Sequence, residues 1–376
     1  MIGRIYIHNY KCLVNFELML QETVLLLGPN GAGKTAVLEV VYGLRRLLAG
    51  EIKITDPDAF HPSTLTRWQT LSDQVFELDA KVGEESFRYR LIIEHDPGGR
   101  LSIVTEESLR SNGTNLFSCI RGKVQLFRDD GSEGPSYSTD WTESALARVA
   151  PHPSNTRLTA FMNAIRKTLV CTINPFLLNV ESTREDDLLD RDAKNFVDWY
   201  RHAVQENPTS ARSLVEALKP VIVGLSDLRL PQFGLDSRAL LIDFVKHGRR
   251  NDYDGKYELW FNELSDGQRA LIVLYALLHL RHRDSGVWLF IDEPDNYVAL
   301  AEIQPWLMEL VDLCMETPSQ AVICSHHPEL IDYLGPESGV ILSRETSSIT
   351  TVRPLVSAIS TNNLKLSEVI SRGWGE

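Results

Sequence analysis

The sequence predicts an α/β fold in which a mixed, largely parallel sheet carries helices and an antiparallel β part lies near the N-terminus. Two observations support this fold class. The apolar run Thr23–Leu27 leads into a glycine-rich loop and a predicted helix at 35–48. In the last third of the chain, the apolar runs 287–291 and 321–324 alternate with helical segments. Strands that alternate with helices are typical of a parallel sheet with helices packed on it.

The antiparallel part is predicted from segments with a period of two. Residues 2–7 alternate between apolar and polar positions, and residues 75–94 do the same around a turn at 82–84. Residues 111–137 are rich in Gly, Ser and Asp, which predicts loops and short strands.

The middle of the chain has helical spacing. Helices are predicted over 158–167 and within 187–218, where Pro208 marks an end. Residues 246–256 are polar and contain two glycines, which is typical of an exposed hairpin tip. The length of 376 residues fits two domains or one large domain with an added lobe.

The charge balance disfavours one class of function. The net charge is −13, whereas a free-standing DNA-binding protein usually carries a basic surplus or a basic face. A local basic patch remains compatible with an acidic total. The short basic clusters at 45–46, 249–250 and 281–283 are more typical of solvated faces than of DNA contacts.

Cysteine usage and hydropathy indicate the compartment. The chain has 5 scattered cysteines and no CxxC pair, which predicts neither a disulfide framework nor a zinc site. The N-terminal segment lacks the apolar core of a signal peptide, and the longest apolar run, 270–280, is too short to cross a bilayer. We expect a cytoplasmic protein without membrane association.

The first candidate site is the loop 28–35, GPNGAGKT, which matches G-x-x-x-x-G-K-[ST] in full. Such a loop wraps its backbone N–H groups around phosphates at a helix N-terminus. Lys34 can reach the β- and γ-phosphates, and the Thr35 hydroxyl can hold Mg2+. A chance glycine-rich turn is disfavoured because the loop lies between a buried strand and a helix. The predicted nucleotide-binding residues are Asn30, Gly31, Ala32, Gly33, Lys34, Thr35 and Ala36.

The second candidate site is the segment 287–293, VWLFIDE. Its apolar residues predict a buried strand that delivers Asp292 to the strand tip, where a carboxylate can coordinate Mg2+. The next residue, Glu293, can polarise an attacking water as a general base. A strand that simply ends in solvated acids is the alternative. The phosphate loop upstream favours the functional interpretation, because parallel strand tips meet at one sheet edge.

The third candidate site is the segment 264–268, LSDGQ, before a long apolar helix. Ser265 and Gly267 stand where that helix begins, which is a natural anion site. Ser265 is also a good N-cap residue, and both roles are compatible.

The fourth candidate site is the segment 321–328, AVICSHHP. A buried strand delivers Ser325 and two histidines to its end. A histidine there can hydrogen-bond a γ-phosphate or the attacking water, although a lone histidine is more often structural.

These four motifs, in this order, resemble those of the ABC ATPase superfamily. GPNGAGKT resembles Walker A, LSDGQ the ABC signature, VWLFIDE Walker B, and SHH the switch-histidine loop. The resemblance implies a P-loop NTPase fold: an ABC ATPase head with a mixed sheet, an antiparallel β part and an inserted helical lobe. It also implies ATP and Mg2+ as cofactors.

The spacing and the ends of the chain indicate the branch of the superfamily. Lys34 and Ser265 are 231 positions apart, whereas transporter ATPase subunits are more compact. The segment HNYKCL at 8–13 resembles the NFKSL start of SMC, RecF and OLD-type ATPases. SHHPELID resembles their THSPEL segment, which aligns His326 rather than His327 with the switch histidine. DEPDNYVALAEIQPWL and SEVISRGW resemble stand-alone bacterial ATPases labelled AAA15 or AAA_21.

The resemblance implies roles for these residues. Lys34 and Mg2+ neutralise phosphate charge, Glu293 orients the water, and His326 senses the γ-phosphate. Ser265, Gly267 and Gln268 act on ATP held by an opposite head. A homodimer or a higher even oligomer is therefore expected.

The chain departs from the ABC pattern in two places. Ala299 stands where the D-loop usually carries Asp. No Q-loop glutamine is obvious, and Asn174 follows the strand at which it is expected. Asn174 is therefore a candidate metal ligand, with Gln69 and Gln74 as alternatives for the Q-loop residue.

The resemblance also predicts an organisation and a role. Residues 1–110 form the first part of the ATPase head, 111–245 a mainly helical inserted lobe, and 246–376 the second part of the head. Related ATPases often accompany a nuclease or toxin-like effector, so we expect an effector partner and a role in defence against phage or foreign DNA. A DNA maintenance or repair ATPase and an ATP-dependent scaffold with little turnover are the alternatives. Nucleic-acid binding is left open.

Overall fold

The computed structural model describes residues 1–96, 98, 101–246, 255–280, 286–344, 349–355 and 365–371. The strands are β1 (Ile2–His8), β2 (Phe16–Met19), β3 (Thr23–Leu27), β4 (Asp73–Val82), β5 (Glu85–His95), β6 (Ser102–Ser111), β7 (Thr114–Ile120), β8 (Lys123–Phe127), β9 (Glu133–Ser138), β10 (Leu169–Cys171), β11 (Glu181–Ser182), β12 (Leu225–Arg229), β13 (Gln232–Phe233), β14 (Ser237–Ala239), β15 (Leu241–Lys246), β16 (Gly255–Trp260), β17 (Trp288–Asp292), β18 (Gln320–Cys324), β19 (Gly339–Ser343) and β20 (Thr351–Pro354). The helices are α1 (Lys34–Ala49), α2 (Thr156–Arg166), α3 (Phe196–Glu206), α4 (Pro208–Leu218), α5 (Asp266–His279), α6 (Leu300–Glu316), α7 (Pro328–Ser338) and α8 (Leu366–Ser371). This mixture of strands and helices confirms the predicted α/β class.

The backbone contacts divide the chain into two units. The first unit comprises residues 1–168 and 334–376, and the second comprises 169–333. The division into 1–110, 111–245 and 246–376 stays a prediction about functional parts. The predicted hairpin tip at 246–256 is described only at its flanks, where Lys246 lies opposite Gly255. The basic clusters 249–250 and 281–283 lie outside the described residues.

The first unit contains an eight-stranded antiparallel sheet in the order β2-β1-β4-β5-β6-β7-β8-β9. Apolar residues alternate inward along it, so that Ile5 lies opposite Leu78 and Tyr89 opposite Leu109. The prediction of loops and short strands at 111–137 is confirmed by β7, β8 and β9. β7, β8 and β9 continue the sheet, because Leu116, Phe117 and Val124 keep it half-buried despite the polar residues around them.

A second set of strands in the first unit carries the glycine-rich loop. β3 is buried throughout and runs parallel to β19, with Leu26 opposite Val340. β20 pairs antiparallel with β19. α1 follows the loop, and its apolar face is buried where Gly43 packs against the ring of Phe60.

The second unit contains the parallel order β10-β17-β18. Phe290 lies opposite Val170 on one side and Val322 on the other. Helices α5 and α6 contact each other, and the indole Nε1 of buried Trp306 donates to the Leu274 carbonyl at 2.9 Å. Two small antiparallel sheets, β11-β14-β13 and β12-β15-β16, complete this unit. Because β10, β17 and β18 are parallel, the residues that follow them emerge at one edge of the sheet.

A buried polar network fixes the turn after β1. Asn9 has a φ of 61° and is fully buried, and its amide nitrogen donates to the carbonyls of Leu71 and Asp73 at 2.9 Å each. Gln74 Nε2 donates to the Asn9 carbonyl at 3.0 Å, and His95 Nε2 lies 3.0 Å from Gln74 Oε1. Burial, together with repulsion from His61, lowers the pKa of His95 to about 4. His95 is therefore a neutral core residue at pH 7.

Among the helices of the described residues, none combines the length and the apolar character needed to cross a membrane.

Candidate nucleotide-binding site

The phosphate-type loop of the first unit is held by close backbone packing. Gly28 has a φ of 140°, and a Cβ there would lie 2.1 Å from the carbonyl oxygen of Leu342 in β19. Only glycine fits this position, because any side chain would collide with the neighbouring strand. Gly33 is the N-cap residue of α1, with a φ of 108°. The loop therefore opens directly into the N-terminus of α1, as the sequence motif predicted.

The Lys34 side chain lies along the loop. Its Nζ donates to the Gly28 carbonyl at 2.6 Å and lies 3.4 Å from the Pro29 carbonyl oxygen. Lys34 is buried, whereas Thr35, Asn30 and Gly31 are exposed. The ammonium group is thereby placed at the loop rather than in bulk solvent.

The remaining predicted loop residues offer backbone rather than side chains. The methyl groups of Ala32 and Ala36 are buried. The Ala32 carbonyl accepts a hydrogen bond from the Thr350 hydroxyl at 2.9 Å. Thr350 was not predicted, because it lies more than 300 positions away and no motif marks it.

The second unit presents two carboxylates at the end of β17. Asp292 is half-buried and is the last residue of the strand, opposite Cys324 of β18. Glu293 has a φ of 49°, and its backbone N–H donates to the Cys324 carbonyl at 2.8 Å. The Glu293 carboxylate accepts a hydrogen bond from Asn296 Nδ2 at 2.7 Å. Asp292 and Glu293 thus lie next to each other at the end of β17 but have different backbone conformations.

The two histidines after β18 differ in their environment. His327 Nδ1 accepts the backbone N–H of Glu329 at 3.2 Å in the first turn of α7. The backbone N–H of His327 donates to the Ser325 hydroxyl at 2.9 Å, and that hydroxyl donates to Asp295 at 2.7 Å. His326 is exposed. The contacts of His327 serve the local turn, so His326 is the better candidate for a ligand contact.

The LSDGQ segment forms the start of α5. Ser265 is its N-cap: the hydroxyl accepts the Gln268 N–H at 3.3 Å, and Gln268 Oε1 accepts the Ser265 N–H at 3.1 Å. This reciprocal capping box stabilises the helix start. Gly267 lies against the loop after β17, because a Cβ there would be 2.7 Å from the Tyr297 carbonyl oxygen. The capping role is thus present at the predicted signature residues.

The loop after β10 contacts both the start of α5 and the loop after β17. Arg269 of α5 donates to the Pro175 carbonyl at 2.8 Å and forms an ion pair with Asp266. The ring of Phe176 meets Tyr297 edge to face, with centroids 5.8 Å apart. We name this set the signature cluster: Pro175, Phe176, Gly267, Arg269 and Tyr297. Sequence reasoning missed it, although the position of Arg269 directly after LSDGQ was a signal.

The predicted amides have different surroundings. Asn174 follows β10 by three positions and is half-buried, and its Oδ1 accepts the Phe176 N–H at 3.1 Å. Gln74 is fully buried, and its side chain lies within the network around Asn9. That network leaves Asn174 and Gln69 as the candidates for the Q-loop position.

The residues that could hold Mg2+ are oxygen donors. The Thr35 hydroxyl stands in the first turn of α1, and the Asp292 carboxylate stands at the end of β17. Within the part of the chain that the structure describes, no group of three or more His, Cys, Asp or Glu residues could hold a metal by itself. The Thr35 hydroxyl and the Asp292 carboxylate are each an oxygen donor of the kind that Mg2+ prefers, and Mg2+ typically takes one or two protein ligands and completes its shell with phosphates and water.

The fold and the motifs define a P-loop ATPase of the ABC and SMC type. A family model described as "AAA domain, putative AbiEii toxin, Type IV TA system" matches residues 24–332. The chain belongs to this family.

Sequence comparison finds transporter subunits over a shorter stretch. Over 130 residues, the chain is 33% identical to the high-affinity branched-chain amino acid transport ATP-binding protein LivG of Escherichia coli K12. The alignment covers 35% of this chain and 46% of that protein. LivG of Shigella flexneri matches equally. The chain thus spans about half the length of the curated relatives that it matches.

Structural comparison finds SMC heads over nearly the whole chain. A crystal structure of an SMC head bound to the C-winged helix domain of ScpA has a TM-score of 0.56 at 14% identity, and the match covers 95% of this chain and 99% of that one. An SMC head with an extended coiled coil, bound to the C-terminal domain of ScpA derived from Pyrococcus furiosus, has a TM-score of 0.54 at 12% identity and covers 95% and 97%. At these identities the likeness concerns the fold.

Proposed function

We propose that this protein binds ATP with Mg2+ and hydrolyses it to ADP and phosphate. The observation that carries the proposal is the loop from Gly28 to Lys34, which opens into the N-terminus of α1 with the Lys34 ammonium held at the loop. Backbone N–H groups and a helix N-terminus form an anion site that suits the phosphates of a nucleotide. Membership of an ATPase family supports the same assignment.

We propose that each polar residue at the strand ends has one role in this reaction. Asn30, Gly31, Ala32, Gly33 and Ala36 surround the phosphates with backbone groups, and Lys34 neutralises charge on the β- and γ-phosphates. Thr35 and Asp292 hold Mg2+, with Asn174 as a further oxygen donor. The metal supplies charge neutralisation when bound.

The proposed chemistry is an in-line displacement. The oxygen of a water forms a bond to the γ-phosphorus, and the bond from that phosphorus to the β–γ bridging oxygen breaks. Glu293 accepts the proton that the water loses, and the electron pair leaves with ADP. His326 stabilises charge on the γ-phosphate. The position of Glu293, directly after the strand end and hydrogen-bonded to Asn296, supports its assignment as the base.

We propose that a second copy of the chain completes each active site. Ser265, Gly267 and Gln268 would act on ATP held by the opposite copy. Their position at the start of α5 supports this role, because a capped helix start is itself an anion site. In a two-fold dimer both surfaces are used twice, and ATP then stabilises the dimer by mass action.

The proposed output is control of a partner effector in bacterial defence. The family description names an AbiEii toxin and a type IV toxin–antitoxin system, which supports an effector of the nuclease or toxin type. The SMC head structure is described as bound to a domain of ScpA, which illustrates that this fold can carry a partner. Co-purification of the protein with the products of neighbouring genes, with and without ATP, would test this part.

Comparison of the wild type with Lys34→Ala tests the site itself. We expect the variant to bind ATP roughly 10- to 100-fold more weakly, because one charge-assisted contact to phosphate is lost. Lys219→Ala, on the exposed end of α4, is the matched control and should bind like the wild type. Calorimetric titration with ATP and Mg2+ measures the affinity, and circular dichroism verifies folding. If folded Lys34→Ala binds ATP like the wild type, the site assignment is wrong.

A further inference from the structure

An aromatic ring and a guanidinium group face each other in the first unit, outside the four motifs. The guanidinium carbon of Arg344 lies 4.9 Å from the centre of the Trp68 ring, which is a cation–π distance. Trp68 is 45% exposed and Arg344 is also exposed. A tryptophan that keeps this much surface in solvent is available to a ligand.

Arg344 lies close to the phosphate loop along the sheet. It follows β19 directly, and β19 runs parallel to β3, from which the loop emerges. The carbonyl of Leu342 packs against Gly28, the first residue of the loop. Two residues span at most about 7 Å, so the Arg344 backbone stays at the loop end of β19.

The Trp68 segment is connected to the same place by hydrogen bonds. The Thr64 carbonyl accepts the Lys11 N–H at 2.6 Å, and Asn9 Oδ1 accepts the Thr66 N–H at 3.2 Å. Cys12 follows Lys11, and a Cβ at Gly33 of the phosphate loop would lie 3.0 Å from its sulfur. The segment that carries Trp68 is thus joined, through residues 9–12, to the phosphate loop.

We propose that Trp68 and Arg344 form the subsite for the adenine base of the ATP that the phosphate loop binds. This inference rests on the proposed function. A base offers a flat π-surface to an aromatic ring or a guanidinium plane. Stacking of this kind is strong and does not depend on which base is present, because every base has a π-face. The phosphate contacts fix one end of the nucleotide, and the Trp68–Arg344 pair then fixes the other.

A single-stranded nucleic acid could use the same chemistry, but the observations favour the nucleotide. Nucleic-acid grooves track a backbone with repeated positive charges and several rings. Here the Trp68–Arg344 pair is joined to a loop that already matches a nucleotide-phosphate motif, in a chain with a net charge of −13.

The test compares a ligand that has a base with one that lacks it. Binding of ATP and of inorganic tripolyphosphate, each with Mg2+, is measured by calorimetry for the wild type, Trp68→Ala and Trp68→Phe. We expect Trp68→Ala to weaken ATP binding roughly 5- to 100-fold, the range of base–aromatic stacking. Tripolyphosphate binding should stay unchanged, and Trp68→Phe should restore most of the ATP affinity.

Trp141→Ala is the matched control, because Trp141 is 48% exposed in the same unit and should leave both affinities unchanged. Equal ATP affinity of Trp68→Ala and the wild type would overturn the subsite, and so would equal losses for ATP and tripolyphosphate. Weaker binding of a short single-stranded oligonucleotide with unchanged ATP affinity would assign the ring to nucleic acid instead. If the wild type binds neither ATP nor tripolyphosphate, the proposed function itself fails.

Discussion

Glu293 has a backbone conformation that is uncommon for a residue with a side chain. Its φ of 49° lies in the left-handed region, and Tyr297, four residues later, has a φ of 81°. Such positions cost free energy and persist where the surrounding contacts fix them, often at functional sites. The hydrogen bonds from Glu293 N–H to Cys324 and from Asn296 to the Glu293 carboxylate are contacts of that kind. The left-handed backbone conformation of Glu293 and its hydrogen bonds both agree with a carboxylate that is held in a fixed position.

Glu293→Gln should separate binding from hydrolysis. The amide keeps the size of the side chain but cannot accept the proton of the attacking water. We expect unchanged ATP affinity and a hydrolysis rate lower by roughly 100-fold or more. Single-turnover phosphate release measures the rate, and Glu316→Gln at the exposed end of α6 is the control. A Glu293→Gln rate equal to that of the wild type would exclude the base role.

His95 should make stability depend on pH. Its pKa is lowered from 6.5 to about 4 in the folded protein, so the unfolded chain binds more protons between these values. The contribution of neutral His95 to the free energy of unfolding is complete above pH 6.5 and is lost as the pH falls toward 4. Between pH 7 and pH 5 we expect the wild type to lose roughly 2 kcal/mol more unfolding free energy than His95→Gln. Urea unfolding of both proteins at the two pH values measures the difference, and parallel pH curves would contradict it.

At the scale of elements, the signature cluster connects three segments of the second unit. Arg269 joins α5 to the loop after β10, Phe176 joins that loop to Tyr297, and the Tyr297 carbonyl closes on Gly267. The start of α5 and the turn that contains Glu293 therefore share packing partners. A shift at one of them must be accommodated by the other, because close-packed groups do not deform freely.

Phe176→Ala should loosen this connection without unfolding the protein. Phe176 is 67% exposed, so its removal costs little burial, and its loss mainly frees Tyr297. We expect a turnover rate lower by roughly tenfold with nearly unchanged ATP affinity, because small misplacements of catalytic groups are costly. Leu177→Ala, on the adjacent exposed position, is the control. Steady-state kinetics provide the measurement, and identical turnover for both variants would show that the contact has no role in catalysis.

Strands and helix starts that are marked by one short-range pattern were predicted well from the sequence. The apolar runs at β3, β17 and β18 and the N-cap residue Ser265 are local signals, and the structure contains each of them. The short strands predicted within 111–137 are present as β7, β8 and β9, but their order in the eight-stranded sheet was not predicted, because no local pattern encodes which strands pair. The contacts of Thr350 with Ala32 and of Arg269 with Pro175 join segments far apart in the chain, and no local pattern encodes them.

In the proposed mechanism, each active site of the molecule requires a second copy of the chain. The phosphate loop and the start of α5 are both helix starts of the kind that can bind anions, and each lies in a different unit of the described chain. In the proposed dimer, each ATP contacts the phosphate loop of one copy and the start of α5 of the other copy. We therefore propose that Ser265 of one copy acts on ATP held by Lys34 of the other.

Mixing two inactive variants distinguishes an active site shared between two copies from a site within one copy. Lys34→Ala removes the phosphate contact, and Ser265→Asp keeps an N-cap residue while placing a negative charge at the anion site. In a mixed dimer one site carries both changes and the other carries neither. We predict that each variant alone is inactive and that an equimolar mixture regains activity, up to about a quarter of the wild-type rate for randomly paired, independent sites. No recovery in a mixture shown by native mass spectrometry to contain heterodimers would contradict the account.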